Sequence, residues 1–281
     1  MNTKFNLILV GSIAATITSS QAVHTLLYEF DDAPLGAIAD GTPITNSGSV
    51  GGPGTFHPAT GSGSIINTGV VTGTAYGDVF LGRTLLLSPP TDGTADLNAP
   101  HIDANAAVAL FGITPSTEYT AFAWVNMNSS SGDNMIFGGS PAPALHHGTR
   151  NGNVQSGHWG DDAGPDQGLI IPVPNGQWHV LAYTNDTAGV QTIFLDPGTP
   201  SQVNLSNGAA TNGQMNTAIN LLIGTAPNGG SFSGQMDRVY TYDSIRTPEQ
   251  IAAAAVVPEP TTFLALASGA TVLLGLRRRR S

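Results

Sequence analysis

The feature that most restricts this chain is its punctuation: apolar runs of four to eight residues, interrupted repeatedly by Gly, Pro, Asn or Asp. Runs that short suit strands, and turn residues at such intervals are the pattern of an antiparallel two-sheet sandwich. The expected fold class is therefore all-β. Only one stretch reads convincingly as a helix. In Thr247-Pro248-Glu249-Gln250, threonine can cap, proline suits the first helical position, and Gln250 can close a capping box. Ile251 and the alanines that follow supply helix propensity, and Pro258 stops it within about two turns.

Strands are expected at 25–30, 78–87, 119–126, 135–138, 176–184, 190–195, 219–224 and 232–242. Residues 40–75 carry few large apolar side chains and read as loop, with a short strand at 64–66. The segments 145–150 and 153–159 flank Asn151-Gly152, a pair suited to a type I′ turn because both central residues need positive φ. A two-residue turn sets His147 opposite Ser156 and Leu145 opposite His158, so His147 and His158 share a face. Along 232–242 the alternation slips by one between Met236 and Val239, which predicts a β-bulge.

Both ends of the chain carry export signals. Lys4, an apolar stretch and the small-x-small site Ser20-Gln21-Ala22 read as a secretory signal peptide over 1–22, leaving a domain at 23–256. At the other end stands Val257-Pro258-Glu259-Pro260, in which the prolines enforce an extended path. An uncharged run of sixteen residues follows, about 24 Å long as a helix and close to bilayer thickness. Arg277, Arg278, Arg279 and Arg280 then hold the far end on the cytoplasmic side by the positive-inside rule. This three-part ending, 257–281, resembles the PEP-CTERM sorting signal of Gram-negative bacteria. The resemblance implies an exosortase-type membrane protease as partner, inner-membrane anchoring through a transmembrane helix before processing, and then the cell surface or extracellular matrix. An ordinary single-pass anchor is the alternative.

Between those signals there is no cysteine, so stability must come from core packing, with or without a bound ion. Arg83, Arg150, Arg238 and Arg246 face fifteen aspartates and three glutamates, a balance of −14. A surface so acidic repels phosphate backbones and excludes nucleic acid as a partner, while favouring divalent cations.

The run GQWHVLAYTNDTAGVQTIFLDP, followed by LLIGTAPNGGSFSGQMDRVYTYDSIRTPEQI, is similar to the LamG-like, concanavalin A-like jelly-roll family. Phe232, Gly234, Met236, Asp237, Val239 and Tyr242 fall on its last-strand pattern, and the stretches YTAFAWVNM and ALHHGTRNGNVQSGHWGDD resemble its central strands. Two face-to-face antiparallel sheets are implied. Glycoside hydrolases of this fold place paired glutamates on one strand, whereas Glu29, Glu118 and Glu249 stand apart here. The expected function is thus a non-enzymatic, surface- or matrix-associated binding module for carbohydrate, stabilised by calcium. A polysaccharide hydrolase or lyase, and a purely structural surface protein, are the alternatives.

Candidate sites follow. Asp161, Asp162 and Asp166 form the densest acidic cluster, readable either as calcium ligands or as turn residues. By the family resemblance, Asp237 with Asp31 or Asp32 is a second calcium pair between first and last strands; a surface carboxylate paired with Arg238 or Arg246 is the other reading. In the cluster of His146, His147 and His158, the two that share a face, His147 and His158, are conceivable transition-metal ligands without a clear third donor; ordinary strand histidines are the other reading. Trp159 and His158 are the candidates for stacking on a sugar, while Trp124 and Trp178 belong to the core.

Overall fold

Alternating side chains and closely spaced turns fold this chain into two antiparallel sheets. The computed structural model describes residues 24–59, 61–89, 99–129, 132–159, 162–207, 213–226 and 230–256. The expected signal peptide and sorting segment, with Val257, Pro258, Glu259, Pro260 and Arg277 to Arg280, lie outside the described residues, as does Asp161. Among the described residues no helix is long and apolar enough to cross a membrane.

One sheet runs in the order Val203–Ser206, Gln191–Leu195, Trp178–Asn185, Tyr119–Met127, Gly234–Tyr242, Gly77–Ser88, Ser62–Thr74 and Gly36–Ala37. The short strand Leu26–Tyr28 also pairs with Gly234–Tyr242, at Val239 to Thr241. The second sheet runs Asp162–Ala163, Asn153–Gly157, His146–Arg150, Asp133–Gly138, Asn220–Ile223, His101–Ala107, Gly54–His57 and Pro43–Ile44. Their facing sides enclose the main core, which includes Leu26, Tyr28, Phe56, Leu85, Ile102, Tyr119, Phe137, Leu181, Tyr183 and Phe232.

A second core lies on the outer face of the first sheet. There Phe122, Trp124, Val180, Ala182, Phe194, Tyr240 and Tyr242 are covered by Ile251 and Ala255 of the helix Pro248–Val256, and by Val71, Val79 and Leu81 of the long hairpin Ser62–Thr74/Gly77–Ser88. That hairpin serves both cores. Its base contributes Ile65, Leu85 and Leu87 to the inner one, and its register shifts between Asn67 and Val70 as the chain turns to cover the outer one. Such double coverage is why Tyr119–Met127 is buried along both faces. The helix begins as its capping box requires: Gln250 N–H donates to Thr247 Oγ1 at 3.3 Å, and Thr247 N–H donates to Gln250 Oε1 at 2.9 Å.

Two expectations need correction. Residues 40–75 are not mainly loop, since they hold the thirteen-residue strand Ser62–Thr74 and the short strands Pro43–Ile44 and Gly54–His57. Small residues conceal the strand because Phe56 fills the space where a larger side chain at Gly63 would stand. The strand His101–Ala107 was missed for a similar reason: its inward residues Ala104 and Ala106 are too small to register as an apolar run. The bulge in the last strand is present. Pairing with Tyr119–Met127 shifts between Asp237 and Tyr240, and Arg238 takes φ 46°.

Candidate functional site

The hairpin His146–Arg150/Asn153–Gly157 turns through Asn151 and Gly152, at φ 48° and 74°, as the Asn-Gly pair predicts. Gly148 pairs with Gln155 and Arg150 with Asn153, a register that brings His147 to Ser156, whose Oγ lies 3.1 Å from His147 Nδ1. Tyr119, reaching across from the first sheet, places its hydroxyl 2.7 Å from His147 Nε2 and 2.5 Å from His158 Nε2. Gly157 N–H donates to His147 Nδ1 at 3.2 Å, so that nitrogen carries the lone pair and the ring proton sits on Nε2. His147 therefore donates to the Tyr119 hydroxyl, which donates in turn to His158. Ser156 Oγ, beside His147 Nδ1, gives its one hydroxyl proton to Gln191 Oε1. All five side chains are fully buried. Burial first, then the neighbouring His158 and His146, pushes the His147 imidazole well below its ordinary range.

His147 and His158 thus share a face as the register requires, but they meet through a phenol, and their nitrogens are committed to one another through it. His158 was expected to stack against a ligand; enclosed at 0% exposure, its ring offers no surface platform. Trp159 is half-buried, with φ 62° and its ring edge-on to His146 at 6.0 Å. Trp124 is fully buried and Trp178 packs against the outer core.

In the acidic cluster beside this hairpin an arginine holds Asp166, whereas Asp162 faces a histidine without a hydrogen bond to its Oδ1. Asp162 Oδ1 lies 3.3 Å from His146 Nε2. Asp166 is bound by Arg150 Nη1, while Arg150 Nε and Nη2 each donate to a different oxygen of Asp133 at 3.0 Å. Among the described residues no three His, Cys, Asp or Glu side chains are grouped to hold a metal ion.

Asp237 is 1% exposed, and its Oδ1 has no hydrogen-bond partner. Burial pushes its carboxyl well up, against the opposing charge of Arg238; Asp31 and Glu29 push in the same direction as burial. Asp31 Oδ1 accepts from Arg83 N–H at 2.6 Å, and a Cβ at Gly82, which has φ 65°, would collide with this carboxylate. Asp237 is not paired with Arg238 through its side chain. The Arg238 guanidinium instead donates to Ala255 O and, at 2.7 Å, to Phe80 O.

The glutamates remain apart. Glu29 accepts the Tyr240 hydroxyl at 2.7 Å, Glu118 is exposed before Tyr119–Met127, and Glu249 lies in the helix's first turn. One pair went unrecognised in the sequence. His179 Nδ1 lies 2.8 Å from Asp196 Oδ2, and Asp196 Oδ1 accepts from Val180 N–H at 2.9 Å. Its signal was the Trp-His start of one strand and the Leu-Asp-Pro-Gly end of the next, which an antiparallel hairpin brings side by side.

The family described as the concanavalin A-like lectin/glucanases superfamily matches residues 91–252. Among solved structures, domain 4 of AbnA, a GH43 extracellular arabinanase from Geobacillus stearothermophilus in complex with arabinotriose, is similar at 19% identity and TM-score 0.53, covering 83% of this chain and 98% of that one. The binding domain of Paraclostridial Mosquitocidal Protein 1 is similar at 11% identity and TM-score 0.46, over 83% of this chain and 51% of that one. The CBM40 of Ruminococcus gnavus IT-sialidase bound to α2,3 sialyllactose matches at 13% identity and TM-score 0.38, over 50% and 83%. No curated protein sequence matches.

Proposed function

The chain belongs to the concanavalin A-like lectin/glucanases superfamily, and from that premise we propose a non-enzymatic, exported binding module that takes carbohydrate at the cell surface or in the extracellular matrix. The observation that carries this reading is the employment of the carboxylates. Acid/base hydrolysis of a glycoside needs two carboxyl groups facing one bond. Here Glu29 holds a tyrosine hydroxyl, Asp162 faces His146 and Asp166 faces Arg150, while Glu118 and Glu249 stand on separate elements. The similar arabinanase domain, solved with arabinotriose, supports carbohydrate as the ligand class. Half-buried Trp159 is the platform proposed for stacking.

The same proposal includes the ends of the chain. Residues 1–22 direct export, and 257–281 anchor the protein in the inner membrane until an exosortase-type protease acts near Pro258, Glu259 and Pro260. It also includes calcium. A hard cation takes oxygen ligands, and the orphaned Oδ1 of buried Asp237, whose carboxyl feels the charge of Asp31, suits one. Asp161 with Asp162 is the lesser candidate, because Asp162 already faces His146. A glycan array probed with the purified secreted protein, with and without calcium, tests the function. Saturable binding of a glycan is expected, and sugar release from a polysaccharide panel would overturn the non-enzymatic reading. Comparing mature protein mass between hosts with and without the sorting protease tests the processing.

A further inference from the structure

All seven histidines of the chain lie among the described residues, and five are committed to contacts within the domain. His147 and His158 meet through Tyr119, His146 Nε2 faces Asp162, and His179 sets Nδ1 on Asp196 with its Nε2 enclosed. His24 packs on Tyr240 and Tyr242 with its Nδ1 enclosed. His57 and His101 differ. Each presents Nδ1 to an oxygen that can only accept, His57 to Asp40 Oδ1 at 3.0 Å and His101 to Ala99 O at 2.8 Å. The neutral rings therefore carry the proton on Nδ1 and the lone pair on Nε2. Neither Nε2 has a hydrogen-bond partner, and neither is enclosed as His179 Nε2 is.

The fold sets these two rings side by side. His57 ends the strand Gly54–His57, His101 opens His101–Ala107, and the two are direct partners across the antiparallel ladder. Phe56, Ile102 and Ala104 belong to the inner core, so alternation places His57 and His101 together on the outer face of the second sheet. Their ring centres lie 5.2 Å apart. Two imidazoles bound through Nε2 to one ion at about 2.1 Å, a tetrahedral angle apart, have their centres about 5 Å apart. The supporting groups are fixed as well. Asp40 stands in a turn closed by Thr42 N–H to Ala39 O at 3.2 Å and clamped to Phe56, whose carbonyl accepts from Gly41 N–H at 3.0 Å and whose N–H donates to Thr42 O at 2.9 Å. A carboxylate on one Nδ1–H and a backbone carbonyl on the other are the partners that orient metal-binding histidines. Burial lowers the pKa of His101, which keeps the ring neutral and able to ligate at pH 7, and the same ring feels the negative charge of Asp103 and Asp40.

We propose that His57 and His101 bind a divalent transition-metal ion through their Nε2 atoms, with Asp40 positioning the His57 ring and water completing the coordination. Imidazole nitrogen suits copper, nickel and zinc, whereas calcium takes oxygen, so this site is separate from the calcium proposed at Asp237. Two protein ligands agree with the lack of any group of three metal-binding side chains among the described residues, because Asp40 is turned to the ring and not to the ion. The site stands without the carbohydrate reading.

Calorimetric titration of the full secreted chain, stripped of metal by chelator, with copper(II), zinc(II) and calcium tests it on the wild type, His57→Gln, His101→Gln and Asp40→Asn. Wild type should bind copper, and zinc more weakly, in the Irving–Williams order. Either histidine variant should weaken copper binding at least tenfold, and Asp40→Asn about tenfold, through loss of the group that orients the ring. Calcium binding should be the same in all four proteins. Electron spin resonance of the copper complex should show two imidazole nitrogens in the wild type and one in either histidine variant, a signature that a purely structural role would not move. Melting curves matched to wild type identify folded variants; if His101→Gln fails to fold, half-buried His57 carries the comparison. Copper affinity and nitrogen count unchanged in folded His57→Gln overturn the site, as does failure of the wild type to bind copper or zinc. Copper binding weakened by the histidine variants but not by Asp40→Asn keeps the two ligands and removes the positioning role of Asp40.

Discussion

The hydroxyl of Tyr119, in one sheet, and Nε2 of His147, in the other, lie 2.7 Å apart in a fully buried polar bridge across the sandwich. His158 completes it at 2.5 Å. A bridge of this kind fixes how the two sheets slide relative to each other, because apolar contacts alone tolerate many offsets while a three-group relay tolerates one. Replacing Tyr119 with Phe keeps the ring and removes the hydroxyl, leaving a buried N–H of His147 and a buried lone pair of His158 without it. A loss of about 1–3 kcal/mol is expected in urea unfolding. An unchanged midpoint and slope would mean the relay adds nothing to stability.

Acid should weaken the same bridge. The folded state holds His147 well below its ordinary 6.5, so below that pH the unfolded chain binds a proton that the folded chain refuses. Stability attributable to this group is intact above pH 6.5. It declines as pH falls from there toward the folded value, by up to about 1.4 kcal/mol per pH unit. Denaturation midpoints between pH 7.5 and 5.5 measure the slope, and His147→Gln should flatten it.

Asp237 has the opposite sign. Its folded-state carboxyl is raised above 3.8, so its contribution is fully present below that value and is lost as pH rises toward the folded value. In calcium-free buffer at pH 7, Asp237→Asn should therefore raise the melting temperature. With millimolar calcium the order should reverse, the wild type gaining and the variant not. A wild-type melting temperature indifferent to chelator would remove calcium from this site.

Arg238 and Trp124 converge on one acceptor, the carbonyl of Ala255 near the end of the helix, where Trp124 Nε1–H donates at 2.9 Å. Trp124→Phe removes one donor and should cost about 1 kcal/mol. Arg238→Met should cost more, about 3 kcal/mol, since Phe80 O loses its donor as well. A double-mutant cycle should give more than the sum, because either donor alone keeps Ala255 O satisfied and only the double variant leaves it without one. Strict additivity would count against a shared role.

At the N-terminus of the same helix, Thr247→Ala deletes the side chain that receives Gln250 N–H, and a loss of about 1 kcal/mol is expected in thermal unfolding. Since the helix covers Phe122, Trp124 and Tyr240, fluorescence should report the loosening as a red shift before global unfolding.

Several parts of this architecture were legible in the sequence because they depend on local chemistry. Asn151-Gly152 dictated a turn and hence the register that sets His147 against Ser156; the slipped alternation after Met236 announced the bulge at Arg238; Thr247 and Gln250 announced the capping box. The strand Ser62–Thr74 was hidden because its glycines and threonines pack against large partners from elsewhere, such as Phe56 over Gly63. The site residues divide in the same way. That His147 and His158 share a face follows from hairpin geometry, but that Tyr119 joins them depends on a strand in the opposite sheet.

By itself, then, the sequence determined the class of fold, the Asn151-Gly152 hairpin and its register, the helix and its cap, and the acidic character of the domain, all properties set by neighbours within a few residues or by composition. Tertiary structure alone decided which charges are spent and which remain. Asp166 and Asp133 are taken by Arg150, Arg238 turns from Asp237 to two carbonyls, and Arg246 keeps Nε and Nη2 buried without a hydrogen-bond partner. The reason is that an ion pair or hydrogen bond is chosen by distance in space, and residues as far apart as Arg238 and Phe80 become neighbours only when the sheets close.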